Sequence, residues 1–384
     1  MTSRIPVAQP DLTGNEEKYV VDAIRSTWIS SSGAYLQRFE TEFAGLCETR
    51  SAIACCNGTV AIHLALLGLG VRPGDEVIVP SLTYIATANA VRYVGAEPVF
   101  VDVDPKTWCI DPARIEDAIT RRTRGIIGVH LMGHPADMDR INHIAAVHGL
   151  WVVEDAAEAT LAKYKGRPVG GLSSVATFSF FGNKLFTSGE GGALSLNDDQ
   201  LATRIRILRG QGMDPDRRYY FPVTGYNFRV TNLAAAILCA QLERRDAIIA
   251  RRREIFALYN RLLSQVPGIG LQPVAPWAEL SPWMYCVTVD EDQFGGTRDD
   301  LAAKLSEAGI ETRPMFIPLH SLPPFREESR QRREHLPITD ALSQTSIMLP
   351  TFTQLTDDQV AFICGTISDA CRNRVGLSQF RRAA

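Results

Sequence analysis

Seven short apolar runs punctuate the first half of the chain: SAIAC at 51–55, EVIVP at 76–80, PVFVDV at 98–103, IIGVHL at 126–131, LWVVED at 150–155, VATFSFF at 175–181 and GALSL at 192–196. Helix-length segments separate them. Such alternation predicts an α/β fold with a mostly parallel sheet and helices on both faces. Upstream, Val20, Val21 and Ile24 give residues 15–27 helical periodicity. The hydroxyl-rich stretch 28–33 that follows reads equally as a cap and turn or as a polar lip over a pocket. Downstream, Leu201, Ile205 and Leu208 predict a helix at 198–210, then a long, polar, basic loop at 211–230. Thr231 caps a helix running to about Leu263. The rest holds a strand at 285–289, a helix at 297–308, the segment ETRPMFIPLH at 311–320 and a last helix at 356–371. Residues 1–245 are expected to form a large domain and 246–384 a smaller α+β domain.

Ligands of parallel sheets bind beyond the carboxyl ends of the strands, so the residues there are the candidates. After the first run come Asn57, Gly58 and Thr59, opening a helix. Free N–H groups and the helix dipole suit such a turn to an anion, phosphate above all. Tyr84 follows the second run, either as core or as a ring to stack on something flat. The fifth run delivers Glu154 and Asp155 from a buried strand, and a buried carboxylate needs a partner, whether a structural cation, a helix N-terminus or a protonated ring nitrogen. Glu158 lies three residues on. After the sixth run Gly182 and Asn183 break the pattern, Lys184 follows, and Gly189, Gly191 and Gly192 lead into the seventh. Read alone, Lys184 is a solvated loop lysine or a buried one. In the second case its pKa falls and it becomes a nucleophile suited to Schiff-base chemistry.

Composition narrows the partners. With 384 residues, 45% hydrophobic, 22% charged and a net charge of -3, the chain has the make-up of a globular enzyme and no basic excess for nucleic acid or anionic membrane. No apolar run reaches a membrane span, and the opening MTSRIPVAQPDLTG lacks a secretory layout, so a cytoplasmic protein is expected. Eight cysteines without a C-x-x-C pair point to reduced thiols and no metal.

A phosphate turn, an aromatic, a buried aspartate and a hairpin lysine together suggest a pyridoxal phosphate site. The motifs NGT at 57–59, GDEVIVPSLTYIATANA at 74–90, EDAAEA at 154–159, FSFFGNK at 178–184, GEGG at 189–192 and GYNFR at 225–229 resemble the DegT/DnrJ/EryC1/StrS sugar aminotransferases, in family order over nearly the whole chain. That resemblance implies a fold-type I architecture with a seven-stranded, mostly parallel sheet. It implies that Lys184 links covalently to the cofactor and that Asp155 pairs with its pyridine nitrogen. Tyr84 would stack on the ring, and Gly58, Thr59 and Ser179 would cradle the phosphate. Glu158 stands where the family contacts the ring hydroxyl, often through Gln. Asn227 matches a residue sent into the neighbouring subunit's site, which implies a homodimer. The implied reaction moves an amino group from L-glutamate to C4 of a nucleotide-linked 4-keto-6-deoxy sugar, with GDP-4-keto-6-deoxymannose preferred over dTDP- or UDP-linked sugars. An O-antigen or related surface glycan would be its destination. Arg217, Arg229 and Arg313 are candidates for the diphosphate, and Trp28, Ser30 and His320 for the rest of the substrate. Three rivals remain: a dehydratase branch with histidine in place of Lys184, another sugar nucleotide, and a non-catalytic regulatory protein. The first is opposed by Lys184 itself, and the third by retention of the whole cofactor set. A dinucleotide enzyme is disfavoured, since no G-x-G-x-x-G follows the first run.

Overall fold

A computed structural model describes residues 4–382, with side chains described through residue 371. All seven apolar runs contribute strands to one sheet: β1 (Ser51–Cys55), β2 (Glu76–Pro80), β3 (Glu97–Val101), β4 (Thr123–Val129), β5 (Trp151–Asp155), β6 (Val175–Ser179) and β7 (Gly192–Leu196). Their order is β1-β7-β6-β5-β4-β2-β3. β3, β2, β4, β5 and β6 run parallel, and β7 is antiparallel to both of its neighbours. The strands are apolar throughout because both faces are covered. Alternate residues feed two cores, Ile78 one of them and Val77 and Val79 the other. After α1 (Glu16–Arg25), the first face is covered by α5 (Met138–His148) and by α2 (Ala34–Leu46), whose Phe39 and Phe43 meet Phe178 and Phe180 edge-on, with ring centroids 4.8–5.5 Å apart. The second face is covered by α3 (Gly58–Gly68), α4 (Ala86–Tyr93) and α6 (Asp199–Arg209).

The helix expected from Thr231 to Leu263 is two helices, α7 (Asn232–Glu243) and α8 (Arg245–Leu263). Thr231 does cap the first, accepting the N–H of Ala234 at 3.2 Å. Arg244 leaves helical geometry (φ -101°, ψ 6°), and its guanidinium grips both oxygens of the buried Asp11 carboxylate at 3.0 Å. Neither Gly nor Pro marks the break, so periodicity reads through it.

A third core lies beyond. Ile255, Tyr259 and Leu263 of α8 pack there with a smaller antiparallel sheet, β8 (Ile269–Leu271), β9 (Tyr285–Val289), β10 (Arg313–Pro314) and β11 (Ser346–Leu349), in the order β8-β9-β11-β10. Its strand and the helix of residues Arg298–Glu307 lie where the sequence places them. Ile5 joins this core from the other end of the chain: its N–H donates to Gly309 and its carbonyl accepts from Glu311, each at 2.9 Å. All eight cysteines are free, Cys56 being the one that is not fully buried. Among the described residues no helix is long and apolar enough to cross a membrane.

Candidate active site

The site gathers at the carboxyl ends of β1, β2, β5 and β6. Asn57 is extended, and its side chain accepts the N–H of Val60 at 3.0 Å, which starts α3 abruptly. The N–H groups of Gly58 and Thr59 then have no acceptor within the helix. A Cβ on Gly58 would stand 2.7 Å from Ser179 Cβ, so glycine alone lets this turn lie against the end of β6. Gly192 is equally constrained, since a Cβ there would sit 2.4 Å from the carbonyl oxygen of Asn57. Two amides, the Ser179 hydroxyl and the positive end of an eleven-residue helix thus lie side by side, an arrangement that suits an anion.

Asp155 ends β5, nearly buried. Thr87 Oγ1 on α4 donates to its Oδ2 at 2.7 Å, and the Ala157 N–H donates to Oδ1 at 3.2 Å. Both contacts fix the orientation of the carboxylate at the end of β5. Thr87 escapes sequence reasoning: its only signal is a hydroxyl in the first turn of a helix opening off a strand. Tyr84 is exposed, its ring 5.9 Å from that of Phe316.

Lys184 lies in the connection between β6 and β7, so the antiparallel turn-back is where the sequence implies. Its Nζ stands 3.9 Å from Glu158 Oε1 and 4.0 Å from the centroid of the Trp283 ring. Burial lowers the pKa of the amine, while Glu158 and Asp155 oppose that fall. Burial also pushes the Glu158 carboxyl up to about 7, against the attraction of Lys184 and the N–H of Met132, which donates to Oε2 at 2.9 Å. Met132 achieves this from a left-handed backbone (φ 50°, ψ 34°) rarely adopted outside glycine. Neither Met132 nor Trp283 carries a local signal, because each enters through the fold.

A pH dependence follows. The folded carboxyl of Glu158 titrates above the ordinary carboxylate range, so its contribution to stability is full below about pH 4.5 and is lost by about pH 7. The thermal midpoint of the cofactor-free chain is expected to fall across that window, and less so in Glu158→Gln. Parallel melting curves of the two proteins at about pH 5 and about pH 7 check this; equal slopes would remove Glu158 as the source.

The substrate candidates are placed differently. Trp28 and Ser30 are exposed, on a loop anchored by buried Asn232, whose Nδ2 donates to the Trp28 carbonyl at 2.7 Å and whose N–H donates to that of Ser30 at 2.6 Å. Arg217 stands over the Tyr220 ring at 4.5 Å. Arg229 donates twice to Asn227 Oδ1, at 3.1 and 3.0 Å, both side chains at the surface. Arg313 is exposed on β10, 3.8 Å from Glu311. The His320 ring bonds Ser81 Oγ at 2.8 Å and approaches Asp340 at 3.4 Å, so it fastens the end of β2. The structure therefore brings Asp155, Glu158 and Lys184 together, with Gly58 against Ser179. The contacts described for the arginines and Asn227 do not reach that group, although Phe228, between Asn227 and Arg229, accepts the Cys56 N–H at 2.9 Å. A cavity of about 930 Å³ beyond the edge strand β3, lined by Glu76, Arg122, Arg332 and Glu334 among others, includes none of these residues.

Comparison with known proteins bears on this geometry. The model of the DegT/DnrJ/EryC1/StrS aminotransferase family matches residues 10–368. GDP-perosamine synthase of Caulobacter vibrioides is 49% identical over 358 residues, 93% of this chain and 95% of that protein. GDP-perosamine synthase of Escherichia coli O157:H7 is 44% identical over 95% of this chain and 98% of its own. Among solved structures, DesV of S. venezuelae superposes with a TM-score of 0.89 at 36% identity, covering 96% of this chain and 99% of its own.

Proposed function

The chain belongs to the DegT/DnrJ/EryC1/StrS aminotransferase family, and from that premise we propose that it transfers the amino group of L-glutamate to C4 of GDP-4-keto-6-deoxy-D-mannose, giving GDP-perosamine. It is a pyridoxal phosphate-dependent aminotransferase. The choice of sugar nucleotide rests on relatives named for that product that match nearly end to end.

The observation that carries the chemistry is the largely buried Lys184 amine, its side chain 14% exposed, beside Glu158, with the Asp155 carboxylate at the adjoining strand end. The residues present fit the cofactor. Gly58, Thr59 and Ser179 would hold its phosphate, Asp155 its ring nitrogen, Glu158 its ring hydroxyl and Lys184 its aldehyde carbon, with Tyr84 against the ring. When bound, pyridoxal phosphate supplies an electron sink for the carbon that loses a proton. The chain's own part is proton management and positioning. Burial keeps Lys184 closer to a free amine than a solvated lysine is, so it can take a proton from the donor's α-carbon and return it. Asp155, fixed by Thr87 and Ala157, would present its carboxylate to the ring nitrogen and favour its protonated form.

Around that centre we read residues 1–245 as the cofactor-binding domain, 246–384 as the smaller one, and the active form as a homodimer in the cytoplasm. Tyr219, Tyr220, Phe221 and Val223 in the loop, with Trp28 and Ile29, expose an amount of apolar surface that a second copy would cover. Asn227 and Arg229 border that loop and would reach the partner's phosphate cradle. Arg217 and Arg313 are the remaining cations for the diphosphate.

Absorbance tests the reading. The purified protein with pyridoxal phosphate is expected to show a visible band that L-glutamate removes and GDP-4-keto-6-deoxymannose restores. A band answering to glutamate but not to this sugar would reject the sugar. A protein that stays colourless would reject the lysine.

A further inference from the structure

Trp283 is held more tightly than a packing residue needs to be. It sits at the start of β9, nearly buried. Its N–H donates to the Ser281 carbonyl at 2.8 Å, and its indole Nε1–H donates to the carbonyl of Asn183, the residue before Lys184, also at 2.8 Å. Its own carbonyl accepts from Arg252 at 2.9 Å. Arg252 is buried on α8, and its other acceptor is the Thr351 carbonyl at 2.8 Å. It makes no ion pair among the described residues, and burial draws its pKa down to about 10. A buried guanidinium without a carboxylate is costly, yet this one fixes the backbone at Trp283. The outcome of these contacts is one orientation of the indole, its face toward Lys184 Nζ at 4.0 Å.

We propose that Trp283 is a positioning residue for Lys184, its indole face being the seat on which the nitrogen rests, most firmly when protonated, whenever it is not joined to the cofactor. An ammonium over an indole is attracted by the ring's negative face, most strongly where water is excluded. The ionisable groups facing Lys184 are Glu158 and Asp155, and both also favour its charged form. The seat differs from them in direction. It holds the nitrogen on the side of Asn183 and β9, so the freed amine has a fixed place from which to return. This role rests on the reading of Lys184 as the cofactor's lysine.

The test follows the amine itself. The full-length chain, stripped of cofactor, is treated with an amine-acylating reagent across a pH series, and modification of Lys184 is followed by peptide mass spectrometry. Losing the seat destabilises the ammonium, so in Trp283→Leu the midpoint is expected to move about one pH unit lower. Trp283→Phe, which keeps a weaker ring, should fall between Leu and wild type. A Leu midpoint equal to wild type would overturn the proposal. Equal shifts in Leu and Phe would overturn it too, because they would report lost packing rather than the ring face. The reading beneath is tested separately: a wild-type chain that forms no visible band with pyridoxal phosphate fails as an aminotransferase, whatever the midpoints do.

Discussion

Lys184→Ala is expected to lower turnover by at least about 10²–10⁴-fold, the range typical of a lost general acid-base group, and to leave no covalently held cofactor. The fold should not suffer. Lys184 is a largely buried amine whose pKa is lowered by desolvation, and the acid opposite it, Glu158, titrates at about 7 with its other oxygen bonded to Met132. Removing the amine therefore leaves a carboxyl that can stay protonated. The checks are steady-state kcat with glutamate and the sugar nucleotide, the visible spectrum, and a thermal melt. A variant with more than about a tenth of wild-type kcat would fall outside the range expected for such a group and would end the assignment of Lys184.

Asp155→Asn is expected to cost about 10- to 1,000-fold in kcat, matching the pKa change of one to three units that an apposed charge typically imposes on its partner. The substitution is isosteric. One oxygen remains to accept from Thr87 or from the Ala157 N–H, whereas the charge that would keep a ring nitrogen protonated is gone. The loss should appear in kcat more than in KM, because Asp155 would face the cofactor ring and not the substrates. Equal kcat for Asn and Asp would mean that the carboxylate serves only the local hydrogen bonds.

The sheet was legible because its signal is local. Each strand is buried on both faces, and a short, unbroken apolar run between helix-length segments fits little besides a central strand. The ends of those runs also reveal Asp155 and the Gly58 turn, since a carboxylate leaving a buried strand and a glycine opening a helix each need a partner. What could not be read comes from contacts between distant parts of the chain. Thr87 looks like an ordinary helix residue until β5 brings Asp155 beside it. Trp283 looks like the edge of a strand until Arg252 and Asn183 turn its ring. The break at Arg244 depends on Asp11, which no periodicity contains. His320 is placed by Ser81 rather than by its neighbouring prolines.

The attachment of Ile5 to the third core has a consequence for how the chain comes to be folded. Ile5 bonds to Gly309 and Glu311, and the Val7 carbonyl accepts the Thr351 N–H. Synthesis runs from the amino end, so Ile5 and Val7 leave the ribosome long before Gly309, Glu311 and Thr351, their partners. The opening arm must wait unpaired while more than 300 residues emerge. Contacts of such sequence separation close slowly, because a long loop must be ordered before they form. The large sheet, whose strands all lie between residues 51 and 196, has no such delay. Assembly is thus expected to set the large sheet early and to stitch Ile5 and Val7 onto the third core late.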